Sequence, residues 1–166
     1  MNREALRFLT RTAVLLGLTF AIQFLRLPQG FTGPAINFML LVAAATVSPW
    51  AGVLIGLITP WLAFAFGILP APLAPAIPFI MAGNATLSLT FGYIYRRRSL
   101  VRGIIGVVAA AVLKLVVLGG AVRYLLALPP KISVALQIPQ LYTALSGGVV
   151  ALVVIAALER ISLMQE

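Results

Sequence analysis

Lys114 stands in the apolar run GIIGVVAAAVLKLVVLGGA, in a chain with no Asp or Glu between Glu4 and Glu159. Two kinds of chemistry are open to an ammonium group there. It can bind a ligand carboxylate or phosphate, or it can serve as a structural tie, donating to Asn84 and backbone carbonyls or snorkelling outward. Asn37 and Asn84 are amides that either bind ligand or link helices. Gln140 and Tyr142 open the last apolar segment, and Trp61 and Phe64 are aromatic side chains that can line a pocket. A Ser/Lys dyad would need Ser88 or Ser146 beside Lys114, and no spacing supports one. With no His and no Cys, the chain lacks the usual bases, nucleophiles and transition-metal ligands. Neither an enzyme, a metal site nor a cofactor is therefore expected. The absence of intramembrane carboxylates also argues against a proton-driven carrier, so energy for uphill transport would come from another subunit.

The elements that must position these groups are transmembrane helices. Hydrophobic residues make up 62% of the 166 and charged residues 9%, a balance no soluble domain sustains. About 20 apolar residues span a bilayer as helix, so the length admits about six crossings. Apolar length and Pro/Gly punctuation predict helices at 8–26, 34–48, 51–69, 75–95, 100–126 and 138–158. The basic start followed by an apolar stretch lacks a cleavage site and reads as the first of these helices. The expected fold is an all-α polytopic membrane protein, with residues 1–166 forming a single six-helix transmembrane domain. Thr59-Pro60 predicts a kink in the third helix, because proline removes a backbone donor.

Charge sets the orientation. Arg3, Arg7, Arg11, Arg96, Arg97, Arg98, Arg102 and Arg160 fall at one face of such a bundle, and Arg26, Arg123 and Lys131 at the other. The positive-inside rule then places both termini in the cytoplasm. The net charge of +9 reads as topology beside anionic lipid rather than as a nucleic-acid groove. In this frame Lys114 lies about 20 Å from the inner end of its helix, just beyond the midplane and level with Asn84. The polar residues gather in the outer half, which predicts an outward-facing pocket. Arg123 sits about 180° around the helix from Lys114 and does not converge with it. In the first helix, Ala13, Gly17 and Ala21 form a small-residue stripe suited to close helix approach, within the chain or with a partner. Gly52 and Gly56 do the same in the third.

The six short helices, the Ala13, Gly17, Ala21 stripe, and the segments GPAINFMLLVAAATVSPWAGVLIGLITPWLAF and PAIPFIMAGNATL together resemble the substrate-binding S components of energy-coupling factor (ECF) transporters. The resemblance covers nearly the whole chain. It implies a multi-pass protein of the bacterial cytoplasmic membrane that captures a vitamin or micronutrient outside and docks on a transmembrane coupling subunit carrying two ATPases. The stripe would face that coupling subunit, with Gly17 where the family usually has Ala. The outer loops, 28–34 and 70–75, would cover the solute. The resemblance does not name that solute. Residue chemistry disfavours cations and metal ions and favours an anionic or carboxylate-bearing molecule at Lys114, such as pantothenate, niacin, biotin, lipoate and similar compounds. The expected binding set is Lys114, Asn84, Asn37, Gln140, Tyr142 and Trp61. The alternatives are a solitary channel or facilitator, whose polar lining would continue into the inner half, and an assembly protein that binds no solute.

Overall fold

A computed structural model describes residues 2–96 and 98–163. Among these the chain is all-helical, with six long helices and two short turns of helix. The long helices are α1 (Arg3–Phe24), α2 (Gln29–Thr46), α3 (Pro49–Ala65), α4 (Ile77–Tyr95), α5 (Leu100–Tyr124) and α7 (Ile138–Leu163). The short α6 (Pro130–Ala135) precedes α7, and a 3-10 turn (Ala71–Ala76) leads into α4. Four segments, Arg3–Phe24, Ala71–Tyr95, Leu100–Tyr124 and Pro130–Ile161, are long and apolar enough to cross a membrane, and Pro49–Ala65 is a shorter apolar helix.

Local chemistry explains where the boundaries depart from the sequence expectation. The Asn2 side chain accepts hydrogen bonds from the amides of Glu4 and Ala5, at 2.7 and 3.2 Å, and this cap starts α1 at Arg3 rather than at residue 8. The segment read as a loop over 28–34 is helical from Gln29, with Pro28 at the N-cap and Pro34 inside α2. Conversely, α3 stops at Ala65 rather than at residue 69. Gly67 adopts a left-handed φ of 65°, its amide donates to Phe64 O (3.0 Å), and that of Ile68 donates to Ala63 O (2.8 Å). This pairing closes the last turn and turns Ile68, Leu69 and Pro70 away from the helix axis. Arg97, counted among the inner-face arginines, lies outside the described residues.

The helix α2 packs against α1, α3, α4 and α7, while α4 also meets α3 and α5. Its burial is correspondingly deep, with Leu40, Leu41 and Ala43 fully enclosed beside Ile55, Leu87, Phe91 and Ala110. On the outside of the bundle the exposed residues are apolar too, among them Leu9 and Leu18 on α1, Ile105 and Val116 on α5, and Val153 on α7. A helix apolar on all sides belongs in hydrocarbon. The central position of α2 lets it carry Asn37 buried inside the bundle.

Candidate functional site

Lys114, fifteen residues into α5, is 3% exposed, and the two groups that meet it, Asn37 on α2 and Asn84 on α4, are 2% and 3% exposed. Its ammonium donates to Asn37 Oδ1 at 2.7 Å and to Asn84 Oδ1 at 2.8 Å. Each amide is held with its oxygen toward the lysine by what its nitrogen does. Asn37 Nδ2 donates to Thr143 Oγ1 (3.3 Å), and that hydroxyl donates to Gln140 O (3.0 Å). Asn84 Nδ2 donates to Gly56 O (3.2 Å).

That last acceptor exists because of Pro60. Residue 60 of a regular helix would donate its amide hydrogen to the carbonyl of residue 56, and proline has none to give. Gly56 O is released from the α3 ladder and taken by α4. The approach needs glycine: a Cβ at position 56 would stand 2.8 Å from Asn84 Cβ. Thr59, beside the proline, satisfies its own hydroxyl by donating to Ile55 O (2.8 Å).

A lysine at mid-helix costs about 2.5–3.5 kcal/mol on insertion scales. Two hydrogen bonds from a charged donor, at about 1.5–3 kcal/mol each, offset that without a carboxylate. The amides therefore account for the lysine's presence. What they leave over is one N–H and an unneutralised charge, since a lysine ammonium carries three donors.

Lys114, Asn37 and Asn84 border a cavity of about 470 Å³. Thr59 and Pro60 join them at mid-helix depth. Ile36, Ile80, Leu73 and Leu136 give apolar walls, and the residues at its helix-end side include Leu69, Pro70, Lys131 and Ile132. The turn after α3 and the short α6 thus both reach this space. Gln140 also lines it.

Contrary to the expected binding set, Trp61 and Tyr142 do not line it. Their exposures are 59% and 68%, and both point to the outside of the bundle. One residue beyond Pro60 rotates Trp61 about 100° away from the cavity, and two residues beyond Gln140 rotate Tyr142 about 200°. Phe64 is also absent from the lining. The serines do not pair with Lys114: Ser88 donates to Asn84 O and Ser146 to Tyr142 O. Arg123 lies beside Tyr124, its guanidinium carbon 5.8 Å from the ring centroid.

Sequence reasoning overlooked Gln23, took Gln29 and Thr32 only as part of a covering loop, Lys131 only as a topological charge, and Thr59 only as part of a kink and an inner-half polar residue. All five border the cavity. For Gln23 a signal was present, an amide within LGLTFAIQFL. On α1 the faces divide cleanly: Thr12, Thr19 and Gln23 are buried, whereas Ala13, Gly17 and Ala21 are exposed. A Cβ added at Gly17 would meet nothing within 4 Å.

The described helices thus hold a lysine framed by two amides beside a cavity within a bundle of membrane-type helices. The family model of the ECF transporter substrate-specific component matches residues 7–159, and the chain belongs to that family. It is thus a membrane substrate-binding subunit that works with membrane-embedded ECF partner subunits. No curated protein and no solved structure matches it.

Proposed function

We propose that this chain captures a small carboxylate-bearing vitamin or precursor from outside the bacterial cytoplasmic membrane and delivers it for ATP-driven uptake. The observation that carries the reading is the third N–H of Lys114, left over beside a cavity after two amides have fixed the other two. A carboxylate there supplies both the missing acceptor and the missing negative charge.

The arginines support the orientation. Arg3, Arg7 and Arg11 begin α1, Arg96, Arg98 and Arg102 flank the α4–α5 connection, and Arg160 is in the last turn of α7. The cavity instead adjoins the C-terminal ends of α1 and α3 and the N-terminal ends of α2 and α7. With arginines inside and residues 1–166 acting as one domain, the cavity faces outward. Ala13, Gly17 and Ala21 then form a close-packing strip for a transmembrane coupling subunit, with two ATPases behind it, in the manner of an ABC transporter.

A solitary channel fits the packing less well. Below the Lys114 cluster, toward the arginine end, Leu40, Leu41, Leu87, Phe91 and Val107 are buried against one another, and the buried Ser88 beside them spends its hydroxyl on Asn84 O (3.0 Å). Native mass spectrometry of the purified full-length chain tests the proposal. The wild type retains a carboxylate-bearing molecule, and Lys114→Ala loses it. Unchanged retention in the variant would remove Lys114 from the binding site, and ATP-independent flux through the chain alone in liposomes would favour the channel.

A further inference from the structure

Gln23 lies in the last turn of α1, is 8% exposed, and borders the same cavity as Lys114. Its Oε1 is buried and receives no hydrogen bond from any described residue. Most buried side-chain acceptors are satisfied, so an amide oxygen left in this position needs a reason. Internal capping supplies none, because Thr19, one turn earlier on the same face, satisfies its own hydroxyl on Leu15 O (2.6 Å). Thr12 Oγ1 is also unpartnered, but Thr12 does not reach the cavity.

Among the buried described residues that line it, the cavity therefore presents two unfilled and opposite demands. At Lys114 there is a donor needing an anionic acceptor, and at Gln23 an acceptor needing a donor. The same cavity is lined by apolar side chains, among them Ile36, Ile80 and Leu73. We infer that the substrate carries, besides its carboxylate, an O–H or N–H group that donates to Gln23 Oε1, making Gln23 a specificity-determining residue. This rests on the carboxylate reading of Lys114 and narrows it. Lipoate, whose ring holds only carbon and sulfur, and niacin, whose ring nitrogen only accepts, do not meet the second demand. Pantothenate, with hydroxyls and an amide, and biotin, with a cyclic urea, do.

The test incubates the purified full-length chain with a protein-free small-molecule fraction of yeast extract, identifies the retained compound by mass spectrometry, and measures its binding isotherm on variants. The expected compound is an acid with at least one further O–H or N–H. Gln23→Leu weakens it by about tenfold, the loss of one hydrogen bond in a dry site. Gln23→Asn, which keeps a neutral amide acceptor one methylene shorter, loses less than Gln23→Leu. Monomeric elution and an unchanged melting temperature confirm that both variants fold.

A retained acid without a further donor, a donor-bearing acid indifferent to Gln23→Leu, or equal losses in both variants would overturn the role of Gln23 and leave Lys114 standing. Retention of a neutral or cationic compound, retention unaffected by Lys114→Met, or no retention at all would overturn both.

Discussion

At the arginine end of the bundle, Glu159 on α7 meets the Tyr95 hydroxyl, which donates to its two oxygens at 3.2 and 3.3 Å, and Arg98 at 3.8 Å. At the cavity end, Lys114 meets two neutral amides and no carboxylate. The first charge is answered within the chain and is partly open to water, with Glu159 27% and Arg98 64% exposed. The second is dry and is only oriented. A charge neutralised in place contributes at most modestly to stability, whereas one that is positioned but not neutralised is the charge that the proposed carboxylate would answer.

Substitutions can break this contrast at either end. Lys114→Met has the largest effect. It removes the charge while keeping most of the side-chain volume, and binding of the retained acid falls by about 100-fold in a titration, as expected when one partner of a buried charge pair is removed. Asn84→Asp makes the cavity end resemble the arginine end by giving Lys114 a carboxylate of its own. The acid then competes with an internal partner, and affinity drops by about tenfold with the helical circular dichroism retained. A gain in affinity would show that the charge of Lys114 is not what the solute answers.

Gly56→Ala acts through position rather than charge. Its new methyl group meets Asn84 Cβ and parts α3 from α4, lowering stability by about 1–3 kcal/mol and affinity by a few-fold, read by thermal unfolding and the isotherm together. Glu159→Gln has the smallest effect. It keeps an acceptor for Tyr95 and loses only a long, exposed ion pair worth about 0–1 kcal/mol, so binding is unchanged.

Much of this arrangement is legible in the sequence. Helical depth alone puts Lys114 level with Asn84, and the structure joins them at 2.8 Å. The six apolar segments are likewise readable from their length. Pro34 misleads because proline is commonest at a helix start, yet here it sits within α2. The extent of α6 is hidden in a proline-rich stretch that reads as a loop. Trp61 and Tyr142 fail for a rotational reason. Composition says that aromatic residues are near the polar ones, but a shift of one or two residues turns a helix face away, and only the packed bundle fixes that angle. Gln23 escapes because its interest lies in a partner it lacks, which no spacing encodes.

Pro60 has a consequence for how the chain can vary. A hydrogen missing from α3 decides which atom of α4 faces a lysine on α5. Positions 56, 60, 84 and 114 therefore form one physically coupled unit, although only one of them is charged. Restoring an amide at 60 alone would return Gly56 O to its own helix and leave Asn84 free to turn. Among relatives, these four positions should change together or not at all.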